Sequence, residues 1–486
     1  MNLPDNESIF IYAGSEKTVY LGTFGTGEAE SKTLNVYLAA TKLHLRDSKN
    51  PAIINIYQID NTLKGYAYQP SHLEIEISQS ERLARVEAIH GWLSILKDYH
   101  RQRDLGSPEL PVRVKAENGY VAVNSSQGGN IYLIVEGDTP VESIKTYVNE
   151  DREPSGVYVL SENTLRYNNG RGDIPEFIIN WGTGISAETV LIAAAQIGDK
   201  DNLIPVSTEH LYIAGIGDEN NMVPVYMEMY AFVREDDTHP VYTANITAAV
   251  IDSQFKFLEG KESGGFTGKI SAPWSWASIE TLNINLGDAD LGSIETPLEI
   301  AFEQLYSLNI NRFGSEEMVD TYYLNLKKAS NLKLNGSKRT AVGSITVSNG
   351  DLNITANGTS IGQIDDLMEI RLISGEDLSI SADSINIYLT EKNSKVGNLT
   401  SKGDIVIEFT GKLLADTADH RTLTAGKDHS INFITYDHAG ASIGTESLPF
   451  ILKGSIVDII AVYTDEEIAA YLEYGQETAD KEFPLS

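Results

Sequence analysis

Short apolar runs alternate with polar residues over most of this chain, and Gly, Asn, Asp and Ser bound them. Runs of about four to eight residues with a period of two predict β-strands with one face buried. One triplet recurs within them, an Asn between two aliphatic residues: Leu34-Asn35-Val36, Ile54-Asn55-Ile56, Leu282-Asn283-Ile284, Leu308-Asn309-Ile310, Leu324-Asn325-Leu326, Leu352-Asn353-Ile354, Ile385-Asn386-Ile387 and Ile431-Asn432-Phe433. Asn is a poor strand residue, so this placement needs a reason beyond local propensity. Turns of a coiled chain stacked at about 4.8 Å supply one, because a column of Asn side chains then hydrogen-bonds along the stack. The pattern therefore predicts a solenoid.

The carboxy-terminal half repeats a turn followed by a strand. Gly350-Asp351 leads into Leu352-Asn353-Ile354, Gly375-Glu376-Asp377 into Leu378-Ser379-Ile380, Gly403-Asp404 into Ile405-Val406-Ile407, and Gly426-Lys427-Asp428 into His429-Ser430-Ile431. Gly provides the left-handed backbone and Asp a local side-chain cap. A longer signature joins a Gly corner to a later Pro: Gly198 to Pro205, Gly217 to Pro224, Gly292 to Pro297 and Gly444 to Pro449. Its starts at Ile197, Ile216, Leu291 and Ile443 are separated by 19, 75 and 152 residues, near one, four and eight units of nineteen. That predicts a turn of about that length, with Pro marking entry to a new face because it cannot donate into a ladder.

Two segments read as helical. Ser78-Gln79-Ser80-Glu81 has the form of a capping box, and Leu83, Val86, Ile89, Leu93 and Leu96 follow at helical spacing, predicting an amphipathic helix over 79–103 that packs on the flank of the β-structure. Thr464-Asp465-Glu466-Glu467 opens a shorter one near 465–474, stopped at Gly475. The expected organisation is a β-helical part over 1–78, a helical insertion over 79–105, and β-helical repeats over 106–486.

Composition narrows the function classes. The formal net charge is −32, which argues against nucleic acid and anionic membranes, since both need clustered Lys and Arg. Cysteine is absent, as expected of a chain exported unfolded. The first ten residues carry acidic side chains and no apolar run of signal-peptide length, so a segment of a longer secreted polypeptide is expected.

The phrases Leu291-Gly292-Ser293-Ile294-Glu295-Thr296-Pro297-Leu298 and Ile443-Gly444-Thr445-Glu446-Ser447-Leu448-Pro449-Phe450, with the Gly-x-Asp-Leu-x-Ile strands, make the chain resemble the very large filamentous adhesins of the leukotoxin and filamentous-haemagglutinin type. The resemblance is clearest from about residue 190 onward. It implies a right-handed parallel β-helix, delivered to the cell surface by an outer-membrane transporter in two-partner secretion, and it carries over no functional residue. The helix near residue 90 departs from that rung pattern.

Candidate chemistry is sparse. Clustered carboxylates, often with Ca²⁺, serve the polysaccharide lyases and hydrolases built on this architecture; the candidates are Asp288, Asp290 and Glu295, then Asp236, Asp237 and His239, then Asp365 with Asp366. None has calcium-loop spacing, and the nine histidines, His90 and His100 among them, lack a zinc-type spacing. Arg171-Gly172-Asp173 follows Asn168-Asn169-Gly170, a turn context that would expose an integrin-type tripeptide. An outward row among the 24 Tyr residues could bind glycans. The expectation is an all-β, right-handed parallel β-helix with a helical insertion near 79–103. Its expected role is a non-catalytic adhesive scaffold at the cell surface or outside the cell, without a cofactor, touching host-cell or matrix surfaces and their glycans. The alternatives are a β-helical polysaccharide lyase or hydrolase, a phage tailspike, and an assembly protein of a virion.

Overall fold

A computed structural model describes residues 7–13, 18–21, 33–45, 53–60, 70–77, 82–97, 104–125, 128–146, 155–168, 184–216, 223–230, 243–248, 266–272, 279–286, 298–302, 305–312, 318–328, 331–373, 377–435 and 441–461. These contain 37 β-strands and no α-helix. The chain forms two compact units, Met1–Leu305 and Tyr306–Ser486. Each is a parallel β-helix in which a strand pairs with its counterpart one turn later.

In the first unit most strands pair with the second strand after them, so each turn contributes two strands and two parallel sheets face each other. Alternation within each strand decides what fills the space between. Thr33–Ala39, Ile53–Gln58 and Leu73–Ile77 bury every second residue, and register places the buried ones in columns. One column runs Leu43, Ile75, Ile95, Val123, Ile144, Ile185, Val206 and Met229 through successive turns. All eight are buried. Parallel stacking thus repeats one residue character at one position of every turn, which is why the hydrophobic pattern recurs at turn length.

The second unit changes its cross-section along the chain. Strand Asn331–Asn349 is 19 residues long and serves both sheets, pairing with Ser307–Asn311 at one end and with Met318–Lys328 at the other. Further on, Lys412–Ala415, Thr422–Thr424 and Ser430–Thr435 each pair with a separate strand of the next turn, Ser442–Ile443, Ile451–Lys453 and Ile456–Ala461. Those turns are three-sided. Leu332, Ile354, Ile380, Leu399 and Leu423 form a buried column here.

The expected turn length is met in the shortest turns. Met368 lies on Ile387, Ile385 on Ile405, Leu73 on Leu93 and Ile185 on Val206, steps of 19, 20, 20 and 21 residues. Longer steps, such as Ser143 on Gly184, place extra residues between the same ladders. The first two Gly and Pro phrases do not stack on one another: Ile197 lies on Val225 and Pro205 on Glu228, so their nineteen-residue separation does not mark one turn. Gly198 follows strand Thr189–Ile197 with a φ of 67°, and a Cβ there would lie 2.2 Å from the Tyr226 carbonyl of the next turn. Pro205 and Pro224 are second residues of Ile204–Ser207 and Val223–Tyr230, Gly444 closes Ser442–Ile443 with a φ of 66°, and Pro449 precedes Ile451–Lys453. Gly217, Gly292 and Pro297 lie outside the described residues.

The helix expected over 79–103 is not formed: Leu83–Ala88 and Leu93–Lys97 are strands. The ladder explains the misleading period. Ile54 faces Leu83 whereas Asn55 faces Arg85, so Ala84 is the extra residue of a bulge. The bulge places Leu83 and Val86, three apart, both inside the core. A turn through Gly91, with a φ of 62°, then resets the phase before Leu93. Bulge and corner together imitate a 3.6-residue repeat. The segment expected as a helix near 465–474 lies outside the described residues.

The Asn columns exist, on the outer faces of the sheets. Asn55 Nδ2 donates to Asn35 Oδ1 at 2.9 Å, and Asn283 to Asn245 at 2.9 Å. A three-residue column, Asn357 to Asn335 at 3.0 Å and Asn335 to Asn311 at 2.9 Å, involves none of the recurring triplets. Asn386 instead turns its amide to the Gly362 carbonyl at 3.2 Å, and Asn432 to Ser430 Oγ at 3.1 Å. Two of the turn aspartates act between turns. Asp351 accepts from the backbone N–H of Asp377 at 3.1 Å, and Asp404 from that of Ser430 at 2.7 Å.

Candidate functional site

One corner of the first unit opens into a groove of about 1290 Å³. Its floor is built by register. Leu73, Leu93, Val121 and Val141 stack in successive turns, so the residues preceding them, His72, Trp92, Tyr120 and Pro140, form a column. Backbone bonds carry the ladder through the corner: Leu73 N–H donates to the Trp92 carbonyl at 3.0 Å, Leu93 to Tyr120 at 2.8 Å and Val121 to Pro140 at 2.9 Å. One residue earlier the chain has Ser71, Gly91 and Gly119. A Cβ on Gly91 would lie 1.8 Å from the Ser71 carbonyl and one on Gly119 1.9 Å from that of Gly91. These two glycines let three turns close up behind the ringed column.

The His72 and Trp92 rings are stacked, with centroids 4.2 Å apart and planes 12° apart. Gln58, 2% exposed, fixes the corner from within: its Nε2 donates to the His72 carbonyl at 2.6 Å and its Oε1 accepts from Ile89 N–H at 3.0 Å. Ser71 Oγ lies 3.0 Å from His72 Nδ1. Burial holds the His72 imidazole below its ordinary value despite Glu74, leaving the ring neutral at neutral pH. Polar side chains line the rim. Lys42 and Glu74 pair at 2.7 Å, Glu117 pairs with Lys115 at 2.8 Å, and Asp138, Asn118 and Asn168 complete it. A floor of stacked rings between carboxylates and amides matches the two faces of a sugar, apolar C–H on one side and hydroxyls around the edge.

Beside the groove is Glu142, 1% exposed. The ladder steps from Val121–Val141 to Ala122–Ser143, so Glu142 is a bulge residue. Its Oε2 is buried without a hydrogen-bond partner, and burial lifts its carboxyl to about 7 against the opposing effect of a hydrogen bond with Asn168 of the groove wall. An outer aromatic row also exists: Phe10 stacks on Tyr37 at 4.7 Å and Tyr37 on Tyr57 at 5.2 Å.

Arg171-Gly172-Asp173, Asp288, Asp290, Glu295, Asp236, Asp237, His239 and His100 lie outside the described residues. Asp365 and Asp366 sit on an exposed turn closed by reciprocal backbone bonds between Gln363 and Asp366. His90 pairs with Asp60 at 2.8 Å. Neither Asp365 nor Asp366 lines the groove. The groove residues were missed because the signal is a dipeptide, Gly91-Trp92 then Gly119-Tyr120, each directly before an aliphatic strand and 28 residues apart. Only the register makes it one column. The described residues contain one set of convergent metal-ligating side chains, Asp377, Asp416 and His420, in the second unit.

Compared with known proteins, the chain matches no family model, no curated protein and no solved structure.

Proposed function

We propose that this chain is a non-catalytic adhesive scaffold, a segment of a secreted or surface-displayed filament, that contacts host-cell or matrix glycans. The stacked pair His72 and Trp92 carries the reading, because it offers ring surface beside a polar rim at a corner of the solenoid. Supporting it are the Gly and Pro corner phrases shared with filamentous adhesins and the acidic, cysteine-free composition. Secretion by a partner transporter belongs to the same proposal.

Glycan binding to the intact chain tests it. Trp92→Ala should weaken retention on the responsive glycan by about tenfold, the loss of one stacked ring, while leaving the circular-dichroism spectrum unchanged. Retention equal to that of the parent chain would remove the groove from the proposal. A second reading, glycan cleavage, is favoured by one observation, the carboxyl of Glu142 raised beside Asn168. Turnover abolished by Glu142→Gln would replace the adhesive reading with the enzymatic one.

A further inference from the structure

We propose that Asp377, Asp416 and His420 form a binding site for a divalent transition-metal ion, Zn²⁺ first among them, that ties together three consecutive turns of the second unit. The site lies apart from the groove and does not depend on its function.

The ligands converge through register. Leu378 lies on Val396 and Val396 on Ala415, so Asp377 and Asp416 belong to turns separated by an intervening one. Backbones two turns apart are about 9.6 Å apart. One ligand atom from each of Asp377, Asp416 and His420 nevertheless falls within 4.8 Å of the others. The intervening turn makes room in two ways. Its ladder skips from Leu378–Val396 to Ile380–Leu399, a bulge formed by Gly397 and Asn398 opposite Ser379. A Cβ on Gly397 would stand 2.5 Å from Asp377 Oδ2 and 2.8 Å from Oδ1, so only glycine leaves the space that the carboxylate occupies.

The carboxylate in that space is half satisfied. Asp377 Oδ2 accepts from Ser379 Oγ at 3.2 Å, whereas Oδ1 is buried and has no hydrogen-bond partner. A buried, unpartnered carboxylate oxygen is expensive to maintain and is the group a cation satisfies. Across from it, Asp416 is positioned by its N–H donating to the Val396 carbonyl at 3.2 Å. His420 is held by its N–H on Thr417 Oγ1 at 3.2 Å, and its Nδ1 lies 3.9 Å from Asp416 Oδ2. The loop between them is anchored by Arg421, which donates to the Ala418 and Pro449 carbonyls at 3.1 Å each. Small rotations of the more exposed His420 and of Asp416 bring the three atoms to the ~2.0–2.2 Å bonds of a zinc site.

The donor set selects the ion class. Two carboxylates and one imidazole suit Zn²⁺ or a neighbouring d-block ion, whereas Ca²⁺ takes six to eight oxygens and gains nothing from imidazole. Three protein ligands leave at least one position for water or an oxygen of a bound molecule.

Equilibrium dialysis of the full chain against Zn²⁺ and against Ca²⁺, at physiological ionic strength, tests the site. One Zn²⁺ per chain should bind well above the weak background of an acidic surface, and should shift the His420 imidazole resonance. His420→Ala and Asp416→Asn, both at positions open enough to spare the fold, should each weaken Zn²⁺ by tenfold or more. Gly397→Ala, which keeps all three ligand residues, should weaken it as well by displacing the Asp377 carboxylate. Absence of a stoichiometric Zn²⁺, or Zn²⁺ binding equal in the parent and the His420 and Asp416 variants, overturns the site. Ca²⁺ held more tightly than Zn²⁺ by the same residues overturns the ion class.

Discussion

A single side chain in this fold is felt through the column it belongs to. Ile407 is fully buried, with Ile387 in the turn before and Phe433 in the turn after. Ile407→Asp would place an unpaired charge between them and should cost several kcal/mol, whereas Asp365→Ser on its exposed turn should change stability by less than about 0.5 kcal/mol. Thermal unfolding of the two variants separates the cases, and equal shifts would contradict the assigned faces. Glu142 gives a pH signature. Its carboxyl keeps its proton up to about 7 in the fold but ionises near 4.5 in the unfolded chain, so unfolding releases a proton between those values. Stability from this group is therefore fully present below about 4.5 and lost as pH rises through 7, by about 3 kcal/mol. Glu142→Gln should remove that slope. Wild type and variant compared from pH 5 to pH 8, with limits chosen about the span of the two values, should diverge in melting temperature, and a constant difference would place the proton elsewhere.

At the scale of the strand and its neighbours, hydrogen bonds between turns add to the backbone ladder. Asn335 is the middle of a three-residue column, donating to Asn311 and accepting from Asn357. Asn335→Ala removes both bonds and should cost about 1–3 kcal/mol, near 1 for each, whereas Asn432→Ala loses one bond within its own strand and should cost about half as much. Chemical denaturation of both variants measures the difference, and the reverse order would sink the ladder as a stabilising device. The same elements show what could be read from sequence. Strand identity over most of the chain and the parallel stack were legible, because each depends on a pattern that the chain repeats; a turn near nineteen residues holds only for the shortest turns. Leu83 and Val86 were misread, since a bulge alters the count of residues between two inward positions without altering their chemistry. His72, Trp92 and Tyr120, and likewise Asp377, Asp416 and His420, were illegible for a related reason. Variable turn lengths hide which distant residues share a corner, so no fixed spacing marks either site.

Charge acts on the molecule as a whole. The chain carries 69 Asp and Glu against 37 Lys and Arg, and parallel stacking sets equivalent outward positions of neighbouring turns about 4.8 Å apart. Some of these positions pair opposite charges, as Lys42 does with Glu74 and Arg113 with Glu136, but the acidic excess leaves net repulsion that folding must overcome. At physiological ionic strength the screening length is about 8 Å, longer than the step between turns; near 1 M it falls to about 3 Å, shorter than that step. Screening therefore begins to separate adjacent turns only at high salt. Exposed ion pairs lose strength under the same conditions, yet each contributes little, about 0–1 kcal/mol. The repulsive sum over an excess of 32 charges should outweigh them, so sodium chloride should raise the melting temperature progressively. Calorimetry across a salt series measures this, and a melting temperature that falls with added salt would show that the paired charges, not the excess, govern stability.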